Sequence, residues 1–494
     1  MKKTRLTAIL LSLLMITSSM ISCSEEAAPS DKNNSVPPVT DVSDDTTNAS
    51  ESFEETVPAE TELMDSVGEA NYDGYNFRIS SSPNGATTYG EYMVSEEMNG
   101  DPLNDALYES NQYLCDRFNI DVSFVEYSDI TEQQTALRNS VNGGTDDFNT
   151  SLSHDLFTVT LMQEGFLARL DTIDKFDFTK PWWPENITDV FTINGRMYIA
   201  SNYASYSGMA FVRALIYNKD QAKNNNIDIS YDTVREGKWT LDEFHKLYEG
   251  TSRDLDGNGV IAENDFHGFV SGDTTYCWQT ALGINIYPKD ENGNLYFNSD
   301  LERITKFVDQ MRVVMGNDYI EAGFGSMGSD IFELGNSLFV YTQIDDAYTM
   351  FRDNDFTYGF LPTPKLDELQ ENYINAGTDA FWCIPKTLTG DTLDITASIM
   401  EAMSCYNYKN VIPVYFEITM KSRIADSPDD AEMLQIIADT RSNCHAYTFQ
   451  LLHRNLVADY IGSNKEPASV FKASEKAAQI TLERFIKAVT GHEN

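Results

Sequence analysis

SVNGGTDDFNTSLSHDLFTVTLMQEGFLARLD, residues 140–171, contains the pattern from which the fold class follows. Gly143 and Gly144 mark a turn. Asp147 to Leu152 then predicts a strand, and the residues after it predict a helix that runs through Leu167. A buried strand that leads directly into a helix is the repeating element of an α/β body.

The residues before this stretch show the same alternation. Residues 75–79 alternate between apolar and polar like a strand, and residues 101–118 have the spacing of an amphipathic helix. A second strand is predicted at 119–127 and a second helix at 129–141. Strands that alternate with helices pair in parallel, so the sequence predicts an α/β fold.

The first residues have the layout of a secretory signal. Lys2, Lys3 and Arg5 precede a short apolar run at 6–16, which is too short to span a membrane stably. Residues 20–23, MISC, resemble the lipobox of bacterial lipoproteins, with Met where Leu is usual. We therefore expect a signal peptide at 1–22 and a lipid anchor on Cys23, the alternative being an incidental cysteine.

Residues 23–71 read as an acidic tether. They are rich in Glu, Asp, Ser, Thr and Pro, and Lys32 is their only cation. Too few large apolar residues are present to offset the entropy of ordering, so we expect disorder. Such a segment would span on the order of 35 Å, enough to hold a folded body off a lipid surface.

The charge and the cysteines exclude several classes of protein. A formal net charge of −42 argues against nucleic acid and against an anionic membrane face as partners. Five cysteines follow Cys23 without a C-x-x-C spacing, which argues against a zinc cluster and against a disulfide scaffold, although one bridge stays open. No second apolar run approaches membrane length, so the lipid is the only membrane contact expected.

Six segments spread over the body, together with residues 140–171, carry a family resemblance. They follow one another in the chain as INGRMYIA (193–200), MAFVRALIYNKD (209–220), GKWTLDEFHKLYEG (237–250), FELGNSLFVYTQIDDAYTM (332–350), YGFLPTPK (358–365) and DAFWCIPKTL (379–388). In this order and spacing, the chain from about Tyr72 onward resembles bacterial extracellular solute-binding proteins of the maltose-binding class.

The resemblance implies a fold and a function. It implies two α/β lobes joined by a hinge: lobe one at 72–207 and 373–415, and lobe two at 208–372 and 416–494. It also implies a monomer at the outer face of the cell membrane that traps a small polar solute, most simply an oligosaccharide, and delivers it to an ABC transporter permease. Such a protein makes and breaks no bond and requires no cofactor.

Two other functions stay open at this point. A secreted carbohydrate-active hydrolase would use two carboxylates, but the abundant acidic residues single out no pair, and G-x-S-x-G, H-E-x-x-H and P-loop motifs are absent from the sequence. A surface lipoprotein that captures or senses glycans would bind in the same way without a permease.

The candidate ligand residues are of two kinds. Ligands lie beyond the carboxyl ends of strands in open α/β sheets, which selects Ser153, His154 and Asp155; a structural histidine and a helix N-cap are the alternatives for the last two. Sugars also need aromatic rings for stacking and polar side chains for hydrogen bonds. Loop position, the predicted hinge, the start of a lobe-two helix and the family segments select Trp182, Trp183, Tyr203, Tyr206, Tyr276, Trp278, Tyr341, Gln343, Asp345 and Trp382, with burial as the alternative for Trp182, Trp183 and Trp382.

DLDGNGVIAEND, residues 254–265, has the oxygen spacing of an EF-hand calcium loop. Asp254, Asp256 and Asn258 occupy positions one, three and five, Val260 offers its carbonyl, and Asp265 replaces the usual glutamate at twelve. The sequence thus predicts either a structural calcium site of modest affinity or a turn that hydrogen-bonds its own backbone.

Overall fold

The computed structural model describes residues 64–84, 87–271, 275–315, 319–321, 327–377, 380–443, 445–461, 463 and 465–491. The signal peptide, Cys23 and the first part of the predicted tether lie outside the described residues. None of the described helices is long and apolar enough to cross a membrane.

The folded body begins before the predicted end of the tether. Val67 is buried, and the Asp65 carboxylate accepts hydrogen bonds of 2.6 and 2.9 Å from the two terminal nitrogens of Arg117. The prediction that the tether extends to residue 71 is therefore wrong for residues 64–71. The ion pair between Asp65 and Arg117 and the burial of Val67 hold these residues against the body. Amino-acid composition alone does not reveal such contacts.

Fourteen strands are described. They are β1 Tyr75–Ser81, β2 Pro83–Asn84, β3 Thr87–Thr88, β4 Ile120–Glu126, β5 Thr150–His154, β6 Ile199–Ala200, β7 Arg213–Asn218, β8 His267–Ser271, β9 Tyr319–Glu321, β10 Ser337–Gln343, β11 Tyr358–Leu361, β12 Asn375–Gly377, β13 Ala380–Cys383 and β14 Arg441–Asn443.

The described α-helices are α1 Pro102–Phe118, α2 Ile130–Gly143, α3 Asp155–Gln163, α4 Glu185–Phe191, α5 Ser207–Ala210, α6 Lys219–Asn224, α7 Tyr231–Arg235, α8 Leu241–Tyr248, α9 Thr275–Ala281, α10 Leu301–Val314, α11 Met327–Glu333, α12 Asp346–Thr349, α13 Gly390–Pro413, α14 Pro428–Asp439, α15 His445–Thr448, α16 Leu456–Tyr460 and α17 Pro467–Thr490. Short 3₁₀ turns lie at Tyr89–Tyr92 and Leu170–Thr172, and a π-helix at Val414–Ile424 continues α13.

The first large sheet has the order β4-β1-β5-β13-β6. β1 pairs in parallel with β4 and β5, whereas β13 runs antiparallel to β5 and β6. This sheet and the helices α1–α4 and α13 packed around it form lobe one. The predicted parallel strand–helix repeats are therefore present, and the chain returns from residue 380 to complete the sheet.

The second large sheet has the order β11-β7-β10-β8-β9. β10 pairs in parallel with β8, and β8 with β9, whereas β7 is antiparallel to β10 and β11. With helices α6–α12, α14 and α16 it forms lobe two. The fold is thus α/β with two large sheets, each flanked by helices.

The chain passes between the sheets after β6, after β11 and after α13. A small parallel pair of β12 and β14 lies along the second passage, and Gly377 forms a bridge with Val212 of the first. A Cβ on Gly377 would lie 2.6 Å from the backbone oxygen of Phe211, so only glycine allows the two passages to approach this closely.

The last helix contacts both lobes. Near its start, the Phe471 ring stacks on His453 with centroids 4.0 Å apart, on the side of lobe two. At its end, the Val489 carbonyl accepts a 3.0 Å hydrogen bond from the Tyr198 hydroxyl of lobe one. The helix α17, predicted as part of lobe two, therefore also contacts lobe one, because a 24-residue helix is long enough to reach across.

Candidate functional site

A cavity of about 440 Å³ lies between the lobes. Lobe one lines it with α1, the segment that leads into α1 and the end of β4; the hinge supplies one tyrosine, and lobe two supplies the end of α12 and the residue before that helix. The lining residues are Thr87, Thr88, Glu91, Tyr92, Val94, Ser95, Glu96, Glu97, Asn99, Asp101, Leu103, Asn104, Leu107, Phe124, Glu126, Tyr206, Asp345, Tyr348 and Thr349. Its volume is within the range of small-molecule sites.

Local hydrogen bonds fix the lobe-one wall. The Glu91 carboxylate accepts 3.1 Å from the backbone amide and 3.2 Å from the hydroxyl of Thr88, which holds the 3₁₀ turn that presents Tyr92. Asp101 caps α1 by accepting from the amides of Leu103 and Asn104. Glu126 ends β4 and is exposed, at the carboxyl end of a parallel strand, where ligands of α/β sheets bind.

Backbone contacts at the hinge place Tyr206 and Asp345 beside each other. The Tyr206 amide donates to the Tyr92 carbonyl at 3.1 Å, and the Asp345 amide donates to the Ala210 carbonyl at 3.2 Å. The Tyr206 ring lies between those of Tyr92 and Tyr415, with centroid separations of 4.9 and 5.0 Å. The hinge therefore carries an aromatic cluster at the floor of the cavity.

Asp345 is the electrostatic centre of this cluster. Asp345 is only 2% exposed, and the Tyr415 hydroxyl donates a 3.3 Å hydrogen bond to its Oδ1. Burial raises the pKa of Asp345 to about 7, the neighbouring Asp346 adds to the rise, and the Tyr415 hydrogen bond opposes it. A carboxyl group with this pKa exchanges its proton near neutral pH and responds to any charge that enters the cavity.

Two of the predicted ligand residues, Tyr206 and Asp345, line this cavity together. Gln343 lies two residues before Asp345, and its amide donates to Asp346 at 2.8 Å. Tyr276 stacks on Tyr447 with parallel rings whose centroids are 3.5 Å apart. The roles of Gln343 and Tyr276 in ligand binding stay predictions.

The predicted lobe-one rim is only partly exposed. Ser153 is buried and pairs with Phe381 of β13. His154 caps α3: its Nδ1 accepts a hydrogen bond from the Leu156 amide at 3.3 Å, which is the structural alternative for this residue. Asp155 begins α3, and its side chain lies outside the described part of the chain.

The tryptophans of lobe one belong to its core. Trp182, Trp183 and Trp382 are at most 2% exposed. The indole N–H groups of Trp182 and Trp183 donate to the two carboxylate oxygens of Glu401, at 2.8 and 2.9 Å, and that of Trp382 donates to Asn202 at 2.9 Å. Their assignment to the ligand site is wrong, because internal acceptors satisfy the polar edges and allow complete burial.

Two candidates of lobe two are also interior residues. Trp278 and Tyr341 are 0% exposed, with ring centroids 4.1 Å apart in the core beneath the sheet. Tyr203 is half-buried between the Tyr408 ring and the Arg441 guanidinium. The assignment of Trp278 and Tyr341 to the ligand site is therefore wrong: an aromatic side chain on an inward face of a sheet or helix packs against its neighbours.

Most of the lobe-one wall and two residues of lobe two, Tyr348 and Thr349, were not among the predicted ligand residues. Glu126 could have been predicted, because the rule that ligands lie beyond strand ends applies to the predicted strand at 119–127 as it does to the strand before Ser153. Tyr348 also had a signal, because it lies one helical turn after Asp345. Glu91, Tyr92 and the residues up to Asp101 gave none, since they lie in a 3₁₀ turn and in the connection that leads from it to α1.

A second cavity, of about 970 Å³, lies on lobe one and includes Gly491 near the end of the chain. Its lining residues come from the loops around 165–175 and 386–394 and include Arg169, Lys175 and Lys386. Apart from Gly491, which follows α17, no residue of lobe two is among the described lining residues of this cavity. It therefore does not have the geometry of a site that opens and closes with the hinge.

The acidic loop at 254–265 forms a compact turn. One carboxylate oxygen from each of Asp254, Asp256 and Asp265 lies within 4.8 Å of the others. The amides of Gly257 and Gly259 donate to Asp254, each at 2.6 Å, and those of Leu255 and Ala262 donate to Asp265 at 2.7 and 2.8 Å. The three carboxylates suit Ca²⁺, and the amide hydrogen bonds stabilise the turn in its absence.

Two predicted calcium ligands take part in the turn in another way. Asn258 accepts a 2.8 Å hydrogen bond from the Val260 amide on its Oδ1, and its Nδ2 donates to Asp256. The Val260 side chain is exposed. The amide of Asn258 donates to Asp256 at 3.0 Å, so Asp256 also supports the turn.

Comparisons with known proteins establish the fold. No protein-family model and no curated protein sequence matches the chain. The solved structure of UgpB from Mycobacterium tuberculosis in complex with glycerophosphocholine is similar with a TM-score of 0.53 and 16% identity, over 84% of this chain and 99% of that one.

Two sugar complexes are also similar. For the ABC substrate-binding protein Lmo0181 from Listeria monocytogenes with cycloalternan, the TM-score is 0.52 and the identity 14%, over 85% of this chain and 100% of that one. For MalE from Bdellovibrio bacteriovorus with maltotriose, the values are 0.50 and 12%, over 83% and 100%. The chain therefore has the two-lobed α/β fold of ABC substrate-binding proteins.

Proposed function

We propose that this protein is an extracytoplasmic solute-binding protein that captures a small polar solute, most simply an oligosaccharide, between its lobes. The observation that carries the proposal is the cavity of about 440 Å³ that both lobes and the hinge residue Tyr206 line. Tyrosine rings and carboxylates in that cavity supply the stacking faces and the acceptors that sugar hydroxyls require.

Binding would act through the hinge. A solute that contacts Glu126 of lobe one and Tyr348 of lobe two gains all of its contacts only when the lobes approach. A difference in affinity of a few kcal/mol between the two arrangements is enough to shift such an equilibrium. The protein holds and releases its solute unchanged, without chemical turnover.

Calorimetry with defined solutes tests this function. We expect one-to-one binding of at least one member of a panel of maltotriose, cycloalternan and glycerophosphocholine, the ligands of the similar structures. Tyr348→Ala should weaken the binding at least about tenfold, because it removes a ring from the cavity. Glu483→Gln, on an exposed position of α17 outside the described cavity linings, is the matched control.

The outcomes separate the alternatives. Intact solute recovered after long incubation supports a binding protein, whereas cleavage products would show a hydrolase. Failure of every solute to bind would contradict the proposal. Binding that Tyr348→Ala leaves unchanged would place the site elsewhere.

We also propose that the monomeric protein is lipid-anchored through Cys23 and delivers its solute to the permease subunits of an ABC transporter. The lipobox-like MISC sequence supports the anchor. Cys23→Ser should abolish incorporation of a labelled fatty acid and release the protein from the membrane fraction, whereas Cys115→Ser, at a half-buried free thiol, should do neither. Solute-dependent stimulation of ATP hydrolysis by an ABC transporter reconstituted with this protein tests delivery.

We propose a structural calcium ion in the loop at 254–265. Support comes from the convergence of three carboxylates within 4.8 Å. Millimolar CaCl₂ should raise the melting temperature, because an ion that binds only the folded state stabilises it. Asp256→Asn should remove this response, and Asp290→Asn, in a turn with similar amide hydrogen bonds, should keep it. An equal response in both variants would contradict the site.

A further inference from the structure

The interlobe cavity is strongly anionic. Six of its lining residues carry carboxylates, and no Lys, Arg or His occurs among the described lining residues. We propose that its solute is a sugar that carries a protonated amine, and that the ammonium group pairs with Asp345. This inference rests on the proposed function and names the class of solute that the same site takes.

Asp345 is the residue that calls for a cation. It lines the cavity although it is only 2% exposed, so solvent screens it poorly. Within the described part of the chain, the Tyr415 hydroxyl supplies its hydrogen bond, at 3.3 Å to Oδ1, and Oδ2 accepts none. A buried carboxylate without a cationic partner is costly, and an ammonium group offers both the charge and the missing donor.

A neutral sugar would satisfy this site less well. Hydroxyl groups would donate to Oδ2 but would leave the negative charge of Asp345 uncompensated beside that of Asp346. Asp346 already accepts hydrogen bonds from Ser329 at 2.7 Å and from Gln343 at 2.8 Å, so it has donors of its own. The missing hydrogen-bond donor is therefore specific to Asp345, and a donor that is also a cation would offset the charge of both carboxylates.

The rings around the cavity fit the same group. Tyr92, Tyr206 and Tyr348 line it, and because the rings of Tyr92 and Tyr206 pack on each other, Tyr348 is the tyrosine that offers a ring face to an ammonium group. The Arg352 guanidinium lies 5.5 Å from the centroid of Tyr348, which shows that this ring already accommodates a cation on one side. The tyrosines thus provide contacts for the carbon skeleton and for the charge.

The carboxylates at the mouth add a longer-range effect. Glu96, Glu97 and Glu126 belong to lobe one and are exposed, whereas Asp345 belongs to lobe two. Their like charges repel each other across the cleft, and a cation between them reverses that repulsion into attraction. An amine on the solute would therefore couple binding to closure and would speed association at low salt.

The decisive measurement is calorimetry near neutral pH with kanamycin A, a multi-ring sugar with several amino groups, and with its fully N-acetylated, neutral form. We expect one-to-one binding of kanamycin A and at least about tenfold weaker binding of the acetylated form. Asp345→Asn should weaken the binding of kanamycin A by about 30-fold, because it removes the charge and keeps the acceptor for Tyr415. Glu483→Gln, with the same change of charge on an exposed surface, should have no effect.

A second variant, at the mouth of the cavity, tests the inference even if Asp345→Asn does not fold. The double variant Glu97→Gln and Glu126→Gln changes exposed residues only, and it should reduce the dependence of affinity on salt between about 0.01 and about 0.3 M NaCl. Equal affinity for the amine and for its acetylated form, or unchanged affinity in both cleft variants, would overturn the inference. If maltotriose binds in those cases, the proposed function stands; if no sugar binds, both fall.

Discussion

At the scale of single residues, Glu401 shows how lobe one buries its tryptophans. The residue is 0% exposed, and its two oxygens accept from Trp182 and Trp183. Burial raises the pKa of Glu401 to about 7, although both indole hydrogen bonds favour the charged form. The same carboxyl group therefore organises the aromatic core and makes its stability sensitive to pH.

The prediction is a loss of stability as the pH rises. Between about 4.5 and about 7, the unfolded chain gives up the Glu401 proton while the folded protein keeps it, so the free energy of unfolding should fall by up to about 3 kcal/mol. The stabilising contribution of Glu401 should be fully present below about pH 4.5 and lost above about pH 7. Urea unfolding of the wild type and of Glu401→Gln across this range measures the effect.

The variant also has a fixed cost. Glutamine offers one acceptor oxygen where two indole N–H groups need one each, so Glu401→Gln should lose about 1–3 kcal/mol at low pH. Its pH dependence should be reduced to that of the remaining groups, and Asp345→Asn isolates the contribution of a second buried carboxyl group whose pKa is raised. An unchanged pH profile in Glu401→Gln would contradict the assigned role.

At the scale of elements, the contact between β12 and the first hinge passage depends on one glycine. A Cβ at Gly377 would lie 2.6 Å from the Phe211 oxygen, closer than real contacts allow, and backbone cannot move aside as a side chain can. The passage after β6 and the passage after β11 are held together at this point. The hinge is thus defined by packing of backbone on backbone.

We expect Gly377→Ala to separate the two passages. Overpacking of this kind costs about 1–3 kcal/mol, so thermal unfolding should occur at a lower temperature, and solute binding should weaken because Asp345 and Tyr206 follow the displaced backbone. Gly68→Ala, at an exposed glycine with nothing within 4 Å, is the matched control. Equal stability of the two variants would show that the contact between Gly377 and the Phe211 backbone has room for a methyl group.

At the scale of the whole molecule, charge opposes the compact state. The chain has 77 acidic and 35 basic residues, and several cations are already engaged in ion pairs such as Lys219 with Asp430. A net charge of −42 therefore leaves a large excess of unpaired carboxylates. Self-repulsion of this kind lowers stability at low ionic strength and is screened by salt.

The melting temperature should therefore rise between about 0.01 and about 0.3 M NaCl at neutral pH. Near the sequence pI of about 4.3 the net charge is small, so the same addition of salt should have little effect there. Differential scanning calorimetry at both pH values checks this. A melting temperature that falls with salt at neutral pH would mean that specific ion pairs outweigh the repulsion.

The sequence by itself determined the α/β class, the strand and helix order and the excess of negative charge. These properties depend on local periodicity and on composition: β1, α1 and β4 follow from residues near one another in the chain. The sequence also predicted Asp345 as a ligand residue, because it lies in the segment 332–350 that carries the family resemblance.

Only the tertiary structure decided which side chains line the cavity. Whether Trp182 is exposed depends on Glu401, 219 positions away, and whether Tyr348 contacts a solute depends on how lobe two faces residues 87–126 of lobe one. Burial and proximity result from packing between distant segments. Periodicity within a short window contains no information about such contacts, so the sequence offered aromatic candidates without deciding which of them reach the cleft.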